Sequence, residues 1–169
     1  EKSFTNALWI VVSQALNNTT AQVNLLDINE NPTETNINMT FYDRNTDAMV
    51  YNLVHTMNNR GNPDTLELDP VHTYRIVAHT IPPRMVDSVT ITPGEHTIIG
   101  IPTPQGQLEF KMKGVNPDAD KLPIIVRQHE DMRTLHVQKF SEIQKYIVGK
   151  YDLEILTLPR TCIEDVEIT

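Results

Sequence analysis

From residue 21 onward the chain reads as short runs in which apolar and polar residues alternate. Ala21-Gln22-Val23-Asn24-Leu25 has this pattern, and so do Ile37, Met39 and Phe41 on the next run. A period of two is that of a strand with one buried face. Asp27-Ile28-Asn29-Glu30-Asn31-Pro32 lies between those runs, and two alternating runs around such a turn predict a hairpin. Val50 to Val54 predicts another strand, followed by the loop Asn58 to Asp64. Leu66-Glu67-Leu68 then alternates into a turn at Asp69-Pro70, and Tyr74 to Thr80 runs up to Pro82-Pro83. Val86 to Ile91 and Ile98 to Ile101 read as strands, stopped by Pro93-Gly94 and Pro102, because proline cannot donate to a ladder.

The cycle restarts at Gly106. Leu108 to Met112 alternates, Gly114 to Asp118 turns, and Leu122 to Val126 and Thr134 to Val137 read as strands. Tyr146-Ile147-Val148 precedes a turn at Gly149-Lys150. Residues 1–20 carry two patterns at once. Phe4, Leu8, Val11, Val12, Ala15 and Leu16 fit a helical stripe, whereas Trp9 to Val12 is β-prone. The expectation there is a strand after a poorly ordered end, with a short helix as the alternative.

The restart is a repeat. Tyr74 to Thr92 aligns without a gap on Tyr151 to Thr169, with identity at Tyr74/Tyr151, Thr80/Thr157, Pro82/Pro159, Val89/Val166, Ile91/Ile168 and Thr92/Thr169. Gly106 to Phe110 echoes Ala21 to Leu25 more weakly. Self-similarity at a fixed period marks one structural module per copy. The expected organisation is an N-terminal segment over 1–20, a first β-sandwich module over 21–104 and a second over 105–169. The second stops where the first continues into Pro93 to Ile98, so it lacks its last strand or is cut short.

Composition agrees with many short strands. Six glycines and eleven prolines stand among abundant Asn and Thr, and hydrophobic residues at 39% suffice for a core. The net charge of −8 comes without a Lys/Arg stripe, which argues against nucleic acid and anionic membrane surfaces as partners. Cys162 is the single cysteine, so no internal disulfide forms, and its apolar alternation predicts a buried thiol. No run is long enough to span a bilayer, and Glu1-Lys2-Ser3 opens neither a Met start nor a signal h-region. The ends read as those of a processed protein or a piece of one.

The turn Asp27-x-Asn29-x-Asn31-Pro32, followed by the strand Ile37 to Phe41, resembles the opening of bacterial Ig-like and carboxypeptidase-regulatory-like domains. Leu66 to Ile76 resembles their strand, Pro/Gly turn and Tyr-led strand. Glu30 replaces their usual glycine, and Val71-His72 their common Pro-Gly. The tandem form is also similar to the β-rich region that follows von Willebrand factor A domains in Bacteroidetes envelope proteins. The resemblance implies an all-β chain of two tandem Ig-like or prealbumin-like sandwiches outside the cytoplasm, with no catalytic residues and no cofactor.

Candidate chemistry is sparse. There is no Gly-x-Ser-x-Gly elbow, no Gly-rich phosphate loop and no His-x-x-x-His, so an enzyme is not expected. His79 and His96 would approach each other if their strands paired. Asp27, Asn29 and Asn31, and likewise Asn116, Asp118 and Asp120, offer alternating hard oxygens that suit calcium. Neither set has the glycine or the glutamate of an EF-hand loop, and Asp and Asn are also ordinary turn residues. Tyr74, Thr80, Pro82, Tyr151, Thr157 and Pro159 are expected to be structural repeat positions, each tyrosine packing its ring and bonding its hydroxyl to a loop. The functional expectation is a non-catalytic spacer or docking module of a larger cell-envelope protein. It would bind a protein partner or neighbouring domains of the same polypeptide; the alternative is a glycan- or calcium-binding domain.

Overall fold

The computed structural model describes residues 19–114 and 121–169, and these are all-β, with thirteen strands and no α-helix among them. The expectations for residues 1–18 and for the turn at 115–120 lie outside the described residues. Two compact units are present: residues 19–79 with 83–103, and residues 80–82 with 104–114 and 121–169.

In the first unit, β1 (Thr20–Leu26) sits between β4 (Thr65–Leu66), antiparallel, and β7 (His96–Pro102), parallel. The second sheet has the order β3 (Met49–His55), β2 (Ile37–Asp43), β5 (Thr73–Ala78), β6 (Arg84–Thr90), all antiparallel. The predicted hairpin of the first two runs does not form. Loop 27–36 carries the chain from one sheet to the other, so β1 and β2 share a core instead of a ladder. Alternation shows which face of a strand is buried; it does not show which strand lies beside it. Val23 and Leu25 of β1 join Met39 and Phe41 of β2, Tyr74 and Ile76 of β5, and Ile99 and Ile101 of β7 in one buried cluster, giving a sandwich-like packing.

The second unit has a sheet in the order β10 (His136–Lys139), β9 (Pro123–Gln128), β12 (Gly149–Ile155), β13 (Thr161–Ile168). Beside it β8 (Gln105–Glu109) pairs with β11 (Ile143–Ile147), antiparallel. The Gly149-Lys150 turn expected from sequence is instead the start of β12. Its core gathers Ile124, Val126, Tyr146, Tyr151, Leu153 and Ile168, with Leu108 and Phe110 only partly covered.

Candidate functional site

The six repeat positions have matching surroundings. The Tyr74 and Tyr151 rings are buried, and their hydroxyls donate to the carbonyls of Asp69 at 2.9 Å and Ile147 at 2.5 Å. Burial pushes the Tyr74 hydroxyl pKa upward. The Thr80 Oγ1 donates to the Pro82 carbonyl at 2.6 Å, and the Thr157 Oγ1 to that of Pro159 at 2.7 Å; both prolines follow cis peptide bonds. The ladder bulges between Tyr74 and Ile76 in one unit and between Tyr151 and Leu153 in the other. Fourteen positions beyond each tyrosine, Ser88 and Asp165 take positive φ of 60° and 58°.

A buried polar side chain also anchors each unit. His55, only 2% exposed, directs Nε2 to the Val23 carbonyl at 3.0 Å, while its Nδ1 has no hydrogen-bond partner. Burial lowers its pKa, with the bond to Val23 and the charge of Asp64 opposing the shift. In the second unit, Gln138 is fully buried, donates Nε2 to the carbonyls of Leu108 at 2.9 Å and Glu142 at 2.7 Å, and accepts from the Tyr146 hydroxyl at 2.9 Å. Sequence reading passed over both residues, because nothing local marks a polar side chain as buried.

The calcium candidates part company. Asp27 spends its carboxylate on its own turn: Oδ1 accepts from the amides of Asn29 and Asn31, and Oδ2 from Thr33 Oγ1. The bond from the Asn31 amide is the main reason its pKa is lowered. This is the turn use of Asp and Asn, with the carboxylate lone pairs turned inward. Asn116, Asp118 and Asp120 lie outside the described residues. Among the described residues, no group of three His, Cys, Asp or Glu is placed to hold a metal ion.

His79 and His96 do not meet. His79 Nε2 lies 2.7 Å from Thr40 Oγ1, which also accepts from Asn52 at 2.8 Å, on the outer face of the β3-β2-β5-β6 sheet. His96 Nδ1 lies 2.8 Å from Thr20 Oγ1 in the other sheet. Cys162 corrects the expectation of a buried thiol: it is exposed on β13, an edge strand, where alternation fails to track burial. Arg75 stacks over the Tyr42 ring at 4.9 Å, Tyr51 meets Phe41 edge-on, and Phe110 meets Phe140.

No family model and no curated protein matches the chain. Among solved structures it is similar to the Bacillus anthracis TIE protein, at 17% identity and a TM-score of 0.34. That overlap covers 88% of this chain and 32% of the other, so the chain spans about a third of that structure's length. A likeness at this level bears on neither fold nor function.

The remaining chemistry lies at the sheet edges. His79 N donates to the Asn38 carbonyl at 2.9 Å, so Asn38 and Thr40 direct their backbone groups to β5, and Ile37, Met39 and Phe41 direct theirs to β3. Their partners His55, Leu53 and Tyr51 therefore face β2, leaving the N–H and C=O groups of Asn52 and Val54 pointing outward from β3. Along this edge Met49, Val50, Tyr51 and Val54 are exposed. Four other edges carry charge, proline or bulges: Arg84 and Asp87 with a bulge on β6, Glu164, Asp165 and Glu167 with a bulge on β13, Lys139 on β10, and Pro102 on β7. Charge, proline and bulges are how proteins block unwanted strand pairing, and β3 beyond its bulge opposite Phe41 and Tyr42 has none of them.

Proposed function

We propose that the chain is a non-catalytic interaction module of a larger cell-envelope protein, built from two tandem Ig-like or prealbumin-like sandwiches and positioned outside the cytoplasm. It serves as a spacer and docks a partner protein by strand addition at β3. The uncharged β3 edge carries the docking part of this reading: outward backbone groups at Asn52 and Val54 offer a ladder, and the flanking Val50, Tyr51 and Val54 side chains offer apolar contacts. The matched tyrosine and threonine hydrogen bonds, bulges and positive-φ residues support reading the two units as copies of one module.

Two experiments test this. Source cells are fractionated and blotted with an antibody to the chain; a band well above 19.3 kDa in the envelope fraction is expected, and a soluble cytoplasmic band near 19 kDa overturns the assignment. A photo-crosslinker placed at Val54 in cells should yield a discrete adduct that Asn52→Pro abolishes. An unchanged adduct overturns docking at β3.

A further inference from the structure

The second unit contains three residues from outside its own stretch of chain. Residues 80–82, which follow β5 in sequence, belong to it together with 104–114 and 121–169. The Ile81 carbonyl accepts from Ile147 N, at the end of β11, at 2.7 Å. The Ile81 side chain packs against the core cluster that includes Tyr146 and Tyr151. Thr80 is buried, and Ile81 and Pro82 are half-buried.

The ungapped match of Tyr74 to Thr92 with Tyr151 to Thr169 puts Thr157, Leu158 and Pro159 at the counterpart positions. The local build is the same: Thr157 Oγ1 donates to the Pro159 carbonyl at 2.7 Å, as Thr80 Oγ1 does to that of Pro82 at 2.6 Å. The surroundings are opposite. Leu158 is 100% exposed, Pro159 is exposed, and Thr157 is only half-buried. A lone exposed leucine is ordinary on a protein surface. Here, however, a hydrogen-bonded turn holds it out just as the matching turn holds Ile81 against a core, and the packing of Ile81 shows what kind of surface would cover it.

We propose that Leu158 is a docking peg for the next module of the same kind along the polypeptide. Its side chain enters that module's core, and its carbonyl accepts an amide from the strand that corresponds to β11, as the Ile81 carbonyl does in the second unit. The inference rests on reading the chain as part of a larger polypeptide of such modules, but it does not depend on docking at β3.

Two measurements test it. In the purified chain, Ile81→Ser should speed amide exchange at Ile147 at least about tenfold, whereas Leu158→Ser should leave exchange throughout the second unit unchanged. In source cells, a photo-crosslinker at position 158 of the native polypeptide should link, without a gain in apparent mass, to a segment outside residues 1–169 that aligns with Tyr146 to Tyr151. The linked peptides are sequenced, and a crosslinker in place of the exposed Met132 should not give that product. No effect of Ile81→Ser on Ile147 exchange overturns the proposal. So does a native polypeptide well above 19.3 kDa in which position 158 links to nothing, to a different protein, or to a segment without that alignment. A native band near 19.3 kDa overturns the larger polypeptide and this inference with it, so the two failures are distinguishable.

Discussion

Proline at two counterpart positions should give opposite results. Gln22 lies mid-strand in β1, and its N–H points to β7, where it meets the carbonyl of Thr97 in the parallel register. Gln22→Pro removes that bond, worth about 1 kcal/mol net, and leaves a partly buried carbonyl without its donor, at about 1–3 kcal/mol. The sum is about 2–4 kcal/mol, before any clash between the proline ring and the neighbouring strand. That is a large share of the roughly 5–15 kcal/mol that holds a domain together. For a unit of this size it corresponds to a fall in melting temperature of about 10–25 °C. The Gln22 side chain also donates to Asn24 Oδ1 at 2.7 Å, so Gln22→Ala is the control that isolates the backbone effect. Among the described strands β8 pairs with β11 alone, and the Gln107 N–H points away from it, so Gln107→Pro should cost less than about 1 kcal/mol, as expected of proline on an outward-facing edge position. Because two units are present, one melting curve cannot assign the loss. Amide exchange resolved by strand is the assay: protection should collapse over β1 and β7 in Gln22→Pro and remain over β8 and β11 in Gln107→Pro. Equal losses in the two variants would refute the assignment of edges.

Other outcomes follow from individual side chains. His55 is held neutral by burial, so its folded pKa lies below the unfolded value of about 6.5. Below that pH the unfolded chain binds the extra proton, and stability of the first unit, full above pH ~6.5, should decline as pH falls toward the folded pKa. Gln at this position keeps a donor for the Val23 carbonyl, so H55Q should flatten that decline in strand-resolved exchange. His129 runs the other way: its hydrogen bond to Asp152 raises its pKa, so the pair's contribution is present below pH ~6.5 and lost as pH rises through the folded pKa. Gln138→Leu strands the Tyr146 hydroxyl and the Glu142 carbonyl and should cost the second unit about 2–4 kcal/mol by denaturant titration. Calcium should leave the melting of the first unit unchanged, since Asp27 already spends its carboxylate on the loop; a calcium-dependent rise lost in Asp27→Asn would refute this.

The sequence by itself determined the alternating faces and most of the strand positions. A period of two records which side of a strand is buried, as the apolar positions of β1, β2 and β5 show. It also singled out Tyr74 and Tyr151 as counterparts, because an ungapped match across nineteen positions is visible without coordinates. Pairing was decided only by the tertiary structure. β1 and β2 look like a hairpin, yet β1 takes its partners from β4 and, about 75 residues along the chain, from β7. The same holds for the buried ends of His55, which reaches Val23 32 residues away, and of Gln138, which reaches Leu108 30 residues away, and for Cys162, whose exposure follows from its place on an edge. The difference in pairing between β1, flanked by β4 and β7, and β8, paired with β11, could not be read from their residues, since Gly106 to Phe110 alternates as β1 does. Whether a strand's outward backbone groups find a ladder depends on what else the chain brings beside it, and local sequence carries no record of that.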